Sequence, residues 1–503
     1  MEWVGVPKVL GNSPAVQYGL VTVCLAGLQF AWSIEQSYFN IYLIDLGMTK
    51  AMLSIMWIAC PLCGLLVQPI IGSLSDYSTS RIGRRRPYMV WGAILVTLSL
   101  LSFAWSPEIA VALNLKAVTV AMISVIIVDI SINICQSCCR ALVVDMFPGE
   151  RQIEANGWAG FMSSIGHLIS YLTASCDLSW LGFTNQLKAV CVLYSSALLI
   201  TISISSAAVT ERVLISSLVP KAHKSTARKL SDFVMLLWNS AMDLEAGMKS
   251  IFKVQMFAWY AWFTFLFYGA TYAAEVWSYS QTRQVGTGDL ARKGSLALTV
   301  FSFSATVFGY LLPRLPFKIT NIWSATFVIY AIAVFFTGFT KDYGVVLFLF
   351  GLIGITWAAT LWIPFSLTAK EIHNLPVDPD VDENAVESTI TVLPEVSDVE
   401  SQTLPGGVPY NSHYNHNRVS DNISLIPDVS ENNIEHSGLF LGLHNASITI
   451  PQFVSTFGSY IIFKLMDVNP KNPHDGGSAI AVTLQVGAIA ALLAAFYARK
   501  IKI

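Results

Sequence analysis

Four polar residues recur along one apolar stretch at a spacing that could carry charge through a membrane. Asp129, Asn133, Gln136 and Arg140 lie at i, i+4, i+7 and i+11 within the run 117–146. At about 100° per residue, this spacing puts all four side chains on one face of a helix. A charged group at membrane depth costs about 2.5–3.5 kcal/mol on insertion scales, so the face should line a bundle interior or a cavity. The pattern therefore indicates a pathway for a substrate or a proton.

The composition indicates that this helix is one of many that span a membrane. Of 503 residues, 54% are hydrophobic and only 12% charged, about half the charged fraction of a soluble protein. The net charge of −2 does not favour nucleic-acid binding. Crossing the hydrocarbon core needs about 20 apolar residues. Twelve such segments are predicted: 16–44, 52–74, 87–106, 117–146, 155–175, 188–209, 253–279, 294–314, 320–339, 344–369, 438–463 and 478–498.

The twelve segments divide six and six, which predicts an all-α integral membrane protein with the outline of the major facilitator fold. We expect an N-terminal six-helix half at 1–209, a cytoplasmic central loop at 210–252 and a C-terminal six-helix half at 253–503. A disordered cytoplasmic insertion is expected at about 374–435, because that segment is polar and lacks periodicity. Lys and Arg concentrate in the loops on the side of both termini, which predicts cytoplasmic termini.

The eight cysteines lie mostly within apolar segments of the first half. The pairs Cys60/Cys63 and Cys135/Cys138 have the C-x-x-C spacing of metal or redox motifs. Without histidine partners nearby, they are better explained as small packing residues of membrane helices. We therefore predict no metal site. The sequence also shows no nucleotide-binding loop or nucleophile constellation, so we expect neither an enzyme nor a bound cofactor.

The loop after the second predicted segment carries the most specific short motif, with Gly-x-x-x-Asp followed by Arg-x-Gly-Arg-Arg. Its glycine would let neighbouring helices approach closely, and its aspartate would pair with an arginine or a helix N-terminus across the interface between the halves. A basic loop could also serve as a topological anchor alone, but this spacing is too specific for that. It resembles the gating-loop signature of the major facilitator superfamily, which implies a role in stabilising one conformation. The residues concerned are Gly72, Asp76, Arg81, Gly83, Arg84 and Arg85.

Further motifs in both halves resemble a narrower group, the sucrose–proton symporters of the glycoside–pentoside–hexuronide cation symporter family. The similarity is strongest in the first four predicted segments. The motifs that carry it are 64–72, 80–87, 139–145, 209–211, 259–267, 362–366 and 443–452.

The resemblance implies roles for the polar face described first. It assigns proton coupling to Asp129 and sugar transport to Arg140, with Asn133 and Gln136 also at the family's positions. Shielding from water favours the protonated form of a carboxyl group, so such a group could load and release a proton. The α-carbons of Asp129 and Arg140 should lie about 16 Å apart along the helix, too far for a simple salt bridge.

Two departures from the plant members point to the fungal and animal branch. The aspartates of the seventh segment are absent and only Glu275 remains, while the first segment has Glu35 in place of the usual glutamine. This branch implies substrates beyond sucrose, such as maltose and other glucosides. The departures also make Glu35 and Glu275 candidates for proton handling or for pairing with Arg140.

Aromatic and amide side chains could complete a carbohydrate site, since rings stack on pyranose faces and amides bind hydroxyls. Aromatic residues are also abundant at any membrane interface, so packing is the competing explanation. The candidates are Gln29, Trp32, Tyr272, Trp357 and Asn445.

These expectations combine into one hypothesis. The chain is predicted to be a monomeric, proton-coupled symporter in the lipid bilayer that imports sucrose, maltose or related glucosides by alternating access. Its expected location is the plasma membrane, with the vacuolar membrane as an alternative. Two other functions stay open: a sodium-coupled glycoside carrier, and a non-transporting sugar sensor that signals through the 374–435 segment.

Overall fold

The protein is almost entirely helical in the computed structural model. The structure describes residues 3–4, 6–76, 78–147, 151–183, 185–214, 246–282, 285–373, 432–466 and 476–501. Most of the central loop and of the predicted insertion lie outside these residues. The predictions about those segments therefore stay predictions.

The first half begins with a long interrupted helix. Ser13 caps the N-terminus of α1 by accepting from the backbone N–H of Val16, and Pro14 occupies the first turn, where its missing N–H costs nothing. A π-helical turn, Glu35–Phe39, then connects α1 to α2. The helices of this half are α1 (Pro14–Ile34), α2 (Asn40–Asp45), α3 (Lys50–Met56), α4 (Ala59–Asp76), α5 (Arg86–Ala104), α6 (Ser106–Leu113), α7 (Ala117–Met146), α8 (Gln152–Ser175) and α9 (Gln186–Ala208).

The second half is again built from long helices. Its first helix begins at Ala246 and its eleventh-segment helix at Asn432, both several residues earlier than the apolar pattern predicts. Its helices are α10 (Ala246–Tyr279), α11 (Thr287–Leu311), α12 (Ile319–Thr337), α13 (Tyr343–Thr360), α14 (Ile363–His373), α15 (Asn432–Met466) and α16 (Gly476–Lys500). Short 3₁₀ turns lie at Ser179–Leu181 and Leu312–Arg314.

Nine helical segments within the described residues are long and apolar enough to cross a membrane. They coincide with nine of the twelve predicted segments. The other three predicted segments correspond to the long helices α8, α10 and α15. The multi-pass membrane architecture predicted from composition is therefore present, and the count of twelve crossings stays a prediction.

Two short strand pairs define one end of the bundle. The strand β1 (Trp3–Val4) pairs antiparallel with β4 (Val213–Leu214), and β2 (Lys8–Val9) pairs with β3 (Val209–Thr210). These pairs tie the start of the chain to the end of α9. We call this the termini end, and the opposite end, where α3 begins at Lys50, the far end.

Close helix packing within each half supports the site. In the first half α1 packs against α8 and α9, and α5 against α7; in the second half α16 packs against α10 and α12. A Cβ atom at Gly166 of α8 would lie 2.6 Å from the carbonyl oxygen of Ala26, so α1 and α8 could not approach this closely with a larger residue. Between the halves, α8 contacts α11, and α3 contacts α15.

Candidate functional site

Two carboxylates from different helices meet in the interior of the first half. Asp129 of α7 and Glu35, the first residue of the π-helical turn, are each 1% exposed. One carboxylate oxygen of each residue and the Sγ atom of Cys60 on α4 all lie within 4.8 Å of one another. The π turn adds a residue to the helical register, a feature frequent at functional sites, and it places Glu35 against α7. Sequence spacing alone could not show this pairing.

The charge balance of this pair requires a bound cation. Both carboxylate oxygens of Glu35 and Oδ1 of Asp129 are buried without a hydrogen-bond partner within the described part of the chain. Nor does either carboxylate form an ion pair with a described Lys or Arg. Two neighbouring carboxylates away from water cannot both stay ionised alone, because the penalty is several kcal/mol per unpaired ion. A proton or another cation must therefore accompany the pair.

A chain of amides continues along the same face of α7 toward the termini end. The Nδ2 of Asn133 donates to the backbone oxygen of Asp129 (2.8 Å), and its Oδ1 accepts from Nε2 of Gln68 on α4 (2.7 Å). One turn further, Nε1 of Trp32 on α1 donates to Oε1 of Gln136 (2.9 Å). These contacts hold α1, α4 and α7 together around the polar face.

The last member of the face, Arg140, has a different environment from the first. Asp129 and Asn133 are buried, Gln136 is half-buried and Arg140 is exposed. Exposure of these four residues therefore rises along α7 toward the termini end. Arg140 forms no ion pair with a described acid, so the expected pairing with Glu35 or Glu275 is not seen.

Glu275 is placed far from this pair and has a different partner. Its carboxylate accepts from Nζ of Lys50 at 2.7 Å, which joins α10 to α3 at the far end. Its expected role in proton handling thus gains no support from proximity to Asp129. The contact instead connects the two halves.

Other contacts at the far end also bridge the halves. The guanidinium of Arg292 lies 3.1 Å from Asp177, and the ring of Trp57 stacks on Phe267 with centroids 4.4 Å apart. The hydroxyl of Tyr268 donates to Ser54 nearby (2.8 Å). In the described residues, the polar contacts and ring pairs that join the halves all lie toward this end. The bundle is therefore closed at the far end, in agreement with the exposure of Arg140 toward the other.

The arginine-rich loop at the termini end encloses a buried carboxylate. Glu211, which follows β3, accepts from the backbone N–H groups of Arg84 (2.9 Å), Arg85 (2.8 Å) and Arg86 (3.1 Å). Three successive backbone donors directed at one carboxylate form a strong anion site. At Gly83 the backbone has φ of +126°, and a Cβ atom would lie 2.5 Å from Glu211. Glycine is therefore required at this position.

The arginine side chains of the loop pair with acids at the ends of α4 and α7. Arg84 and Arg85 both donate to Asp145, at 3.1 and 2.9 Å from their Nε atoms, and Arg85 also pairs with Asp76. These pairs stay within the first half, whereas the sequence predicted that Asp76 pairs across the interface between the halves. The network fixes the loop against α4, α7 and α9.

The sequence-based reason given for Gly72 is wrong. A Cβ atom there would meet nothing within 4 Å, so this glycine does not permit a close helix approach. Its backbone oxygen instead accepts from Ser75 (2.9 Å) and Arg85 (3.4 Å). Arg81 lies exposed in the turn before Gly83.

The remaining predicted substrate residues are dispersed. Gln29 is half-buried on α1, one turn before Trp32. Trp357 packs edge-on against Trp262 (centroids 4.7 Å), within an aromatic cluster of the second half. The hydroxyl of Tyr272 is bonded to the backbone oxygen of Thr337, a packing contact inside that half. The side chain of Asn445 lies outside the described residues.

Several residues of the site were not singled out by sequence reasoning. Lys50 carries no local signal, because its partner is remote in the chain. Cys60 was noted for its C-x-x-C spacing but was interpreted as a packing residue. Gln68, Asp145 and Glu211 lie within the family-like motifs, so the motifs could have identified them. The residues missed are Lys50, Gln68, Asp145 and Glu211.

Comparisons with known proteins agree with this architecture. The family model described as Major Facilitator Superfamily matches residues 21–375. The chain is 28% identical to the general alpha-glucoside permease of Schizosaccharomyces pombe, over 95% of its own length and 92% of that protein. It is 25% identical to a sucrose transport protein of Arabidopsis thaliana, with 74% and 80% covered.

Solved structures show the same fold at low sequence identity. A D-xylose–proton symporter superposes with a TM-score of 0.56 at 15% identity, over 97% of this chain and 98% of that one. A nucleoside transporter superposes with a TM-score of 0.56 at 12% identity, over 96% and 98%. From the family match and this fold, we conclude that the chain is a multi-pass membrane transporter, not an enzyme, and belongs to the major facilitator superfamily.

Proposed function

We propose that this protein is a proton-coupled symporter that carries sucrose, maltose or related glucosides by alternating access. The substrate class is supported by the relatives, which are named as α-glucoside and sucrose carriers. The observation that carries the coupling is the buried pair Glu35 and Asp129, whose carboxylate oxygens lack partners among the described residues. A proton that binds there would neutralise the pair and change the free-energy difference between the two conformations of the carrier.

The donor atoms of the cluster favour a proton over sodium. Hard cations such as calcium and magnesium take six or more oxygen ligands in proteins, and we expect sodium to prefer oxygen ligands as well. The cluster offers the carboxylates of Glu35 and Asp129, but its third donor is the thiol of Cys60. A proton needs only one carboxylate oxygen and an acceptor beside it. Sodium coupling remains the alternative that the assay below includes.

The sugar is proposed to bind beside the pair, on the side that leads to Arg140. Gln136 has its carbonyl oxygen occupied by Trp32, which leaves its amide N–H groups for a sugar hydroxyl. The side-chain oxygen of Asn133 already accepts from Gln68, and its amide nitrogen already donates to the backbone oxygen of Asp129. We therefore expect Asn133 to hold these neighbours in place and not to bind the sugar directly. The exposed guanidinium of Arg140 is a further donor. Trp32 and Gln29 would complete this wall, and Trp357, Tyr272 and Asn445 are the proposed contributions of the second half.

The conformation fits one step of the cycle. The far end is closed by contacts such as Lys50–Glu275, while Arg140 is exposed toward the termini end. The bias of Lys and Arg supports placing the termini in the cytoplasm. The structure would then correspond to the inward-open state, from which sugar and proton leave. We propose a monomer in the plasma membrane, with the vacuolar membrane as the alternative location.

The test is uptake of labelled sucrose and maltose into transporter-deficient cells at acidic and neutral external pH. We expect uptake to rise at acidic pH, to collapse with a protonophore, and to be unchanged when sodium is replaced by choline. Asp129→Asn should abolish the acid stimulation. Asp45→Asn is the matched control, because Asp45 is an exposed carboxylate at the end of α2.

The outcomes separate the competing functions. Uptake that follows external sodium at constant pH would replace the proton by sodium as the coupling ion. Correctly located wild-type protein that moves neither sugar would contradict the proposal and would favour the sensor. The faster of the two sugars identifies the preferred substrate.

A further inference from the structure

Three potential metal ligands from three separate helical segments converge beside the proposed proton site. Glu35 comes from the π turn, Cys60 from α4 and Asp129 from α7. One donor atom of each lies within 4.8 Å of the other two. Residues so remote in sequence meet only in the folded bundle. The sequence favoured Cys60 as a packing residue, and its position beside two carboxylates suggests a second role.

The site also has unsatisfied coordination capacity. Glu35 is 1% exposed, and both of its carboxylate oxygens lack hydrogen-bond partners within the described residues. Oδ1 of Asp129 is in the same condition. One proton can satisfy only part of this capacity, because it bridges at most two oxygens. Cys60 is half-buried and is the least buried residue of the three.

The donor set selects a particular class of cation. Thiolate and carboxylate together suit Zn²⁺, whereas calcium and magnesium take oxygen ligands only. Tetrahedral Zn²⁺ with bonds of about 2.0–2.3 Å separates its ligand atoms by about 3.3–3.8 Å. The three donors lie within 4.8 Å of one another, so each pair would need to approach by at most about 1.0–1.5 Å. Water would fill the fourth position.

We propose that Glu35, Cys60 and Asp129 form a binding site for a thiophilic divalent cation such as Zn²⁺, and that the bound ion inhibits transport. On binding, the thiol proton and the proton held by the carboxylate pair both leave to water, and the sulfur and the two carboxylates coordinate the ion. The ion then links the π turn, α4 and α7 at one point. The inhibition, though not the binding, rests on the proposed proton-coupled function.

The test uses Cd²⁺ as a spectroscopic probe on the purified full-length protein, followed through the ultraviolet cadmium–thiolate charge-transfer band. We expect one saturable site in wild type. Cys60→Ser should abolish the band at that site, and Asp129→Asn should weaken binding by at least about tenfold, the loss typical of even an outer-shell partner. The matched control is Cys63→Ser, one turn along α4 and outside the cluster. Circular dichroism confirms that each variant is folded.

A second assay measures inhibition of sugar uptake by Zn²⁺ in proteoliposomes, with each variant normalised to its own metal-free rate. Cys60→Ser should raise the half-inhibitory Zn²⁺ concentration at least about tenfold, and Cys63→Ser should leave it unchanged. A band that persists in Cys60→Ser, or that is lost equally in Cys63→Ser, overturns the site. Cd²⁺ binding with the expected variant pattern in a protein that carries no sugar would retain the site and reject the transport proposal. Normal sugar uptake by a protein that does not bind Cd²⁺ would reject the metal site and retain the transport proposal.

Discussion

The ion pair between Lys50 and Glu275 should determine how often the far end of the bundle opens. It joins α3 of the first half to α10 of the second with an Nζ to Oε1 distance of 2.7 Å. Opening the far end must separate these helices and break the contact. Glu275→Gln keeps the shape of the side chain but removes its charge, so it should favour the state that is open at the far end.

The burial of the pair sets the size of the effect. The two side chains are 11% and 22% exposed, which places the pair between a surface ion pair and a fully buried one. Exposed pairs contribute about 0–1 kcal/mol, and hydrogen bonds to charged groups about 1.5–3 kcal/mol. We therefore expect a loss of about 1–2 kcal/mol, or roughly a 5- to 30-fold shift in the ratio of the two conformations.

Spin-label distances across the far end would measure this shift. Leu113 and Lys341 are exposed positions at that end, one in each half, and each can carry a label as a cysteine once Cys176 and the half-buried Cys60 are replaced by serine. Glu275→Gln should increase the population with the longer distance. The matched control is Glu108→Gln, because Glu108 pairs with Lys188 within the first half.

A charge swap provides the decisive comparison. The double variant Lys50→Glu, Glu275→Lys should restore most of the wild-type distance distribution, because the pair is re-formed with its ends exchanged. If Glu275→Gln leaves the distances unchanged, or if the swap opens the far end as much as the single variant does, the contact is not a determinant of opening.

The remaining predictions concern a glycine of the termini end and a second contact of the far end. Gly83→Ala should destabilise the protein by about 1–3 kcal/mol, seen as a lower midpoint of thermal unfolding, because the residue has φ of +126° and its Cβ would meet Glu211. Gly72→Ala should not lower the midpoint, since its Cβ has space; equal losses would contradict this reasoning. Hydrogen bonds from Ser179, and then the charge of Arg292, hold the pKa of Asp177 below its ordinary value. The stabilisation from the ionised Asp177 carboxylate is lost only as the pH falls through its lowered pKa, so the contact with Arg292 persists between about pH 5 and 7. Asp177→Asn should therefore leave the pH profile of uptake unchanged over that range.

The sequence by itself determined the membrane architecture and the polar face of one helix. A 3.6-residue period and a low charged fraction follow from helix geometry and from the cost of charge in lipid, and both can be read without tertiary information. The run 117–146 coincides with α7, and the spacing of Asp129, Asn133 and Gln136 correctly predicted side chains directed to the interior. The loop motif around Gly83 likewise marked a structured region at the termini end.

Only the tertiary structure decided which of these groups meet. The proximity of Glu35 to Asp129 depends on a π turn that has no clear sequence signature, and Glu275 is drawn to Lys50 by the packing of α10 against the first half. Contacts between residues about 100 or more positions apart depend on how helices pack, which local periodicity does not encode. For the same reason, the sequence could identify Cys60 as a residue of an apolar segment but could not place its thiol beside two buried carboxylates.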